Sequence, residues 1–225
     1  MTDAAPALSY PFSHLPLPGQ AIEIKPGVLW LRMPLPFSLD HINLWVLSDG
    51  SGWAVVDTGI RSVDVMNAWF ALFAPQGPLA GRPVSRVMAT HMHPDHVGMA
   101  GWLTRRFECA LWMTRDEYLS CRVMLADSGR EAPVDGVRFY RRAGWSDTEV
   151  DEYRTRFGDF GKMIHPLPDS FVRLTDGQML RIGNQEWEVI VGTGHSPEHA
   201  CFYSRELDLL ISGDQVLPRI SSNTS

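Results

Sequence analysis

Three histidines and one aspartate fall within six residues of this 225-residue chain, in the order His91-Met92-His93-Pro94-Asp95-His96. Neutral imidazoles and carboxylates at that density are the donor set of a divalent zinc or iron site. His91 and His93 are two apart, and in extended backbone such residues point the same way, so both reach one ion. Pro94 biases His93 toward extended backbone and suits the first turn of a helix. Asp95 and His96 then sit where loop becomes helix, turned away from the His91/His93 pair and toward a second ion. The chemistry of such a centre is hydrolysis by activated water. A polar loop of capping residues is the bland alternative, and four ligand-type residues this close together argue against it.

A second cluster reads Gly192-Thr193-Gly194-His195-Ser196-Pro197-Glu198-His199 and follows the apolar run Trp187 to Val191. Its glycines permit a tight turn, and His195 completes the three-histidine set of zinc hydrolases, which leaves a position open for water. His199 reads first as a satisfied core histidine, with contact to a ligand or to substrate as the alternative. Asp214 comes just past Leu209-Leu210-Ile211-Ser212-Gly213. A carboxylate there suits bridging two cations, although a turn-forming aspartate after glycine is the simpler role. Asp57 ends Val55-Val56 and is expected to hydrogen-bond a ligand or shape the loop, with direct ligation the lesser alternative.

The elements that must position these residues alternate strand and helix. Ala21 to Ile24 and Val28 to Met33 read as strands broken by Pro26-Gly27, and Ile42 to Val56 reads as a hairpin turning at Ser48 to Gly52. Val63, Met66, Trp69, Phe70 and Phe73 have near-helical spacing. A short strand from Val84 to Thr90 leads into the histidine motif, and Val97 to Phe107 reads as helix. From about residue 112 to 170 the pattern is a helical insertion or lid, with helices at Thr114 to Leu125 and Ser146 to Phe157, the latter opened by a Ser146/Glu149 capping box. Phe171 to Leu174, Gln178 to Ile182, Trp187 to Val191, Cys201 to Ser204 and Leu207 to Ile211 return to strand. The order is that of a single α/β domain spanning 1–225.

Composition narrows the partners. Charged residues are 20% and the formal net charge is -6, without a long basic run, so the footprint for nucleic acid is missing. Met1 to Pro18 lacks the profile of a secretory leader, and no apolar stretch nears the ~18 residues of a membrane helix. Cys109, Cys121 and Cys201 are widely spaced and read as reduced thiols. A small-molecule substrate and a cytoplasmic location follow as defaults, and the oligomeric state is left open.

The combination His91-x-His93-x-Asp95-His96, Gly194-His195, Gly213-Asp214 and upstream Asp57-Thr58-Gly59 resembles the metallo-β-lactamase fold superfamily, from about Ile42 to the chain end. Gly194-His195-Ser196-Pro197-x-His199 is similar to the Gly-His-Thr-Pro-Gly-His segment of its glyoxalase II-like hydrolases. The resemblance implies an αββα sandwich with the metal site at one edge of the two sheets. It implies a first ion on His91, His93 and His195, and a second on Asp95 and His96 with Asp214 bridging. Zinc is the expected metal, two ions in the intact site, with iron or manganese also suited. The family pattern has a further histidine beyond the bridging aspartate, and Gln215 to Ser225 contains none. The expectation is that C-terminal elements are missing, with His165 or His199 as less favoured substitutes.

The implied activity is attack of activated water on an ester-like bond of the thioester, lactone or β-lactam class, with Asp95 orienting the nucleophile and carrying a proton. The competing readings are a mononuclear-iron oxidoreductase like the persulfide dioxygenases of this fold, or a non-catalytic metal-binding domain. His41, beside Asp40 on the early hairpin with Phe37, Leu39 and Trp45, is a candidate substrate contact. Tyr118, Tyr140, Tyr153 and Arg138 to Arg142 are candidates for a lid or a solvated surface.

Overall fold

The computed structural model describes residues 8–218. The first part of Met1 to Pro18, and the end of the histidine-free tail, lie outside these residues. Strands β1 (Ile22–Lys25), β2 (Val28–Pro34), β3 (His41–Asp49) and β4 (Gly52–Val56) form an antiparallel meander. After helix α1 (Val63–Phe73), strand β5 (Val84–Met88) adds parallel to β4. Two short helices follow, α2 (Pro94–Val97) and α3 (Ala100–Phe107), and then β6 (Ala110–Thr114) parallel to β5. Helices α4 (Arg115–Ala126), α5 (Val134–Arg142), α6 (Asp147–Arg156) and a 3-10 turn (Asp159–Lys162) make the crossover to β7 (Val172–Leu174). The first sheet thus has seven strands in sequence order, and β8 (Met179–Ile182), β9 (Gln185–Gly192), β10 (His199–Ser204) and β11 (Leu209–Ile211) form a second, antiparallel one.

Two cores follow from the pleat. In β4 alternate residues point to opposite faces, and every one is buried. Ala54 and Val56 pack with Trp187, Val189, Ala200 and Phe202 between the sheets. Trp53 and Val55 pack on the other side with α1 and α3, through Ala68, Trp69, Leu72 and Leu103. The two packed sheets of the expected sandwich are present, and among the described residues the helices cover the outer face of the first sheet, while Met179, Ile190 and Leu210 of the second are exposed. A slip of this strand would exchange Trp53 and Val55 with the smaller pair Ala54 and Val56 between two packed cores, so its end is a rigid mount for whatever follows. Asp57 follows β4, and the histidine motif follows β5.

Local sequence explains most elements and corrects some readings. Helix α1 starts at Ser62, whose hydroxyl accepts the Val65 N–H at 3.2 Å, the expected N-cap bond. Its boundaries match the reading, but its buried face is Val65, Ala68, Trp69 and Leu72, while Val63 is 65% exposed. The face is rotated because small Ala68 buries better against the sheet than Phe70 at the helix flank. The expected single helix from Val97 to Phe107 is two, split at Gly98 and Met99, where Gly98 approaches Gly59 O and Arg61 N too closely for a side chain. Strand β6 and helix α5 escape the sequence pattern. Pro133 and Gly136 read as breakers, yet Pro133 is the N-cap of α5 and Gly136 leaves room for the Tyr153 ring of α6. The capping box at Ser146 and Glu149 forms in both directions. Tyr118 belongs to the core: its hydroxyl donates to Pro168 O, and its ring stacks on Phe171 at 4.0 Å.

Candidate metal centre

The site lies where the loops after β4, β5, β9 and β11 meet. Asp57, the first residue past β4, is 1% exposed and holds a left-handed φ of 61°. Such backbone strain concentrates at functional loops. Its carboxylate accepts the Thr90 N–H at 2.8 Å, the Thr90 hydroxyl, and the His96 Nδ1–H at 2.8 Å. The Thr90 hydroxyl proton is thereby committed to Asp57, so the 3.0 Å contact between Thr90 Oγ1 and His91 Nδ1 has the imidazole as donor. His91 then carries its proton on Nδ1 and turns an Nε2 lone pair into the site, while His96 donates from Nδ1 and turns its Nε2 toward Asp214 and Asp95.

These inward nitrogens meet other donor atoms. His91 Nε2 lies 2.9 Å from His93 Nδ1 and 3.1 Å from His195 Nε2. One ligand atom each from His91, His93 and His195 forms a compact group, and a second compact group joins His91, His96 and Asp214. Asp214 straddles the two, with Oδ1 at 3.4 Å from His96 Nε2 and Oδ2 at 3.6 Å from His195 Nε2. Asp95 flanks the second group, its Oδ2 at 3.7 Å from His96 Nε2. His199 holds Asp214 from behind: the Asp214 N–H donates to His199 Nε2 at 3.1 Å. Gly213 makes this approach possible, because its φ is +49° and a Cβ there would come within 2.6 Å of the His199 ring.

Electrostatics separate the two groups. Burial, reinforced by the surrounding imidazoles, holds His91 well below the usual histidine range, and burial together with His195 and His96 lowers His93. Burial also lowers His199, to about 4. These rings are neutral near pH 7, the form that donates a lone pair. His96 goes the other way. Burial opposes its charge, but Asp57, Asp214 and Asp95 outweigh it and raise it well above the usual value. Burial pushes Asp214 up, and His96, His195 and His199 bring it net below the usual value.

A divalent ion fits both groups on two observations. Tetrahedral zinc with N ligands spaces its donors by about 3.3 Å, close to the 2.9 and 3.1 Å found here. His96 Nε2 is buried and meets only carboxylate oxygens, at 3.4 Å from Asp214 Oδ1 and 3.7 Å from Asp95 Oδ2. Such a pocket favours positive charge, either a proton on the ring or a cation between nitrogen and carboxylates.

Two nominated residues stand apart. His41 opens β3 paired with exposed Asp40 and is in neither group. His165 is also in neither group, and its charged neighbours are Arg61 and Arg105, so it does not replace a missing ligand. Two residues at the site were not singled out from sequence: Thr90, described above, and Glu117. Glu117, in the first turn of α4, is fully buried. Its carboxylate accepts the Met92 N–H at 2.9 Å, the Ser196 hydroxyl at 2.5 Å and the Glu198 N–H at 2.9 Å. Burial raises its pKa, the three hydrogen bonds oppose that, and the Glu198 charge adds to it. In sequence it looks like a dipole-favoured acid at a helix start, and only burial distinguishes it.

The comparisons agree with this geometry. The family model of the metallo-beta-lactamase superfamily matches residues 38–225. The chain belongs to that superfamily, whose members are generally hydrolytic enzymes. A beta-lactamase domain protein from Burkholderia ambifaria superposes with a TM-score of 0.83 at 42% identity, over 96% of this chain and 62% of that one. A metallo-beta-lactamase family protein from Thermus thermophilus gives 0.73 at 27% identity, over 90% of this chain and 64% of that one. Among curated proteins, the acyl-coenzyme A thioesterase MBLAC2 of Gallus gallus is 26% identical over 91% of this chain and 66% of its own length. The chain therefore spans about two thirds of the relatives it matches. Among the described residues, no helix is long and apolar enough to cross a membrane.

Proposed function

We propose that the chain is a metal-dependent hydrolase that holds two divalent ions, zinc by preference, and acts on a thioester-like bond of a small molecule. The observation that carries this reading is the convergence of His91, His93 and His195 beside a straddling Asp214. His91, His93 and His195 hold one ion. Asp95 and His96 hold the other, and Asp214 is shared. Bound there, the ions supply Lewis acidity and bring the ionisation of water toward neutral pH. Asp57 and Thr90 keep the His91 and His96 rings in the ligand tautomer. His199 aims Asp214. Asp95, at the flank of the second group, orients the attacking water and passes a proton to the leaving group.

The thioester class is supported by the relationship to an acyl-coenzyme A thioesterase. The test is metal content followed by acyl-thioester, lactone and β-lactam hydrolysis. Zinc near two per chain and thioester turnover that grows with acyl length are expected. Oxygen uptake with bound iron and no hydrolysis would overturn the reading.

A further inference from the structure

We propose that Glu117 is a positioning residue for the metal centre: its buried carboxylate clasps the loop of His91 and His93 to the loop of His195, and so sets how closely the imidazoles converge. This rests on the metal-site reading above. The clasp is made of contacts on both sides. Oε2 takes the N–H of Met92, the residue between His91 and His93. Oε1 takes the hydroxyl of Ser196, next to His195, and the N–H of Glu198. The attachment is reciprocal, because the Glu198 carboxylate accepts the Asp116 N–H at 2.8 Å, and Thr114 Oγ1 donates to Glu198 O at 2.7 Å. The first turn of α4 is therefore locked to the His195 loop in both directions, while one Glu117 oxygen reaches across to the histidine motif.

The chemistry requires a carboxylate. All three partners are donors, and an ionised carboxylate is acceptor-only on both oxygens. A glutamine would satisfy one side and set its NH2 against an N–H on the other. A fully buried carboxylate is a costly way merely to hold a helix in place, since an apolar side chain of similar volume does so without losing hydration. Its position behind two ligand loops gives it another role. Asp57 orients ligand rings by touching them, whereas Glu117 touches no ligand ring in its hydrogen bonds and acts through backbone.

The experiment is zinc titration of metal-stripped full-length protein against a chromophoric chelator, for wild type, Glu117→Gln and Ser196→Ala, with circular dichroism and a melt of each stripped form. Cobalt(II) spectra report the ligand geometry. Glu117→Gln is expected to remain folded, to lose roughly 10–100-fold in zinc affinity, as outer partners of ligands do, and to shift the cobalt bands. Ser196→Ala, which removes one donor, is expected to lose several-fold. A Glu117→Gln protein that melts lower but binds zinc as wild type overturns the proposal. If Glu117→Gln does not fold, Ser196→Ala decides, and unchanged affinity overturns the proposal there too. Wild type that binds no zinc sinks the metal-site reading itself, a different failure from equal binding by all forms.

Discussion

The loops at the sheet edge and the helical crossover from α4 to α6 are built from the same charged residue types, and they use them in opposite ways. In the loops Asp57, His91 and His96 are at most 1% exposed, as is Glu117 where α4 begins against them, and the polar contacts of each are specific. In the crossover, pairs such as Arg154–Asp151 at 2.8 Å and Arg141–Asp147 at 3.0 Å lie in solvent. Water screens the second kind and each long side chain loses rotamer freedom to form it. The desolvated kind is costly to leave incomplete. The contrast teaches that ion pairs in this molecule are to be weighed by burial, not by number.

The loops should break first. His93→Ala removes a nitrogen from the three-imidazole group. Zinc at that group and hydrolysis are expected to fall together by more than the roughly 100-fold typical of outer-partner changes, read by metal analysis and turnover. Hydrolysis surviving with the metal lost would end the metal-dependent mechanism. Asp57→Ala comes next. It strands the His96 Nδ1–H, the Thr90 N–H and the Thr90 hydroxyl in the interior, and a loss on the order of 3–5 kcal/mol is expected in chemical denaturation. A loss below about 1 kcal/mol would mean that the loops tolerate incompleteness as the crossover does.

Acid probes the same contrast without mutation. Burial depresses His199 to about 4 in the folded protein. Between that value and the unfolded value near 6.5, the unfolded chain binds more protons, so the contribution is present above about pH 6.5 and is lost as pH falls toward 4. The metal-free protein is expected to lose on the order of 3 kcal/mol from this group, with His91 and His93 acting in the same sense. His199→Gln should flatten the slope of stability against pH, and an unchanged slope would count against a buried neutral His199. The smallest effect belongs to the crossover. Arg154→Ala should alter stability by no more than about 0.5 kcal/mol and leave zinc affinity unchanged. A larger change would show that these exposed pairs are coupled to the site.

The two regions also differ in how far they were legible. The histidine motif was readable because His91, His93, Asp95 and His96 are close in sequence, and ligand geometry over six residues is largely local. His195 and Asp214 were readable because apolar strands end just before them. The α1 boundaries were legible from Ser62 and the apolar spacing, but not its buried face, because Val63 and Phe70 carry the same apolar signal as Val65 and Leu72. The crossover was harder. The five-residue strand β6 is too short for periodicity to mark firmly, although β7 was read within Phe171 to Leu174, and the glycine in α5 makes sense only beside Tyr153 of α6.

By itself, the sequence determined the donor types, their order and the strand-loop-helix frame around them, because these depend on short spacings and on backbone preferences. It also determined membership of the superfamily. Only the tertiary structure decided which imidazole nitrogens face inward, since that follows from Asp57 reaching Thr90 across 33 positions of chain and the His96 ring across 39. Only the tertiary structure set His41 and His165 apart from the cluster and drew Glu117 into it. Burial is a property of the packed chain, and in this site burial tells a surface acid from one that holds a metal loop.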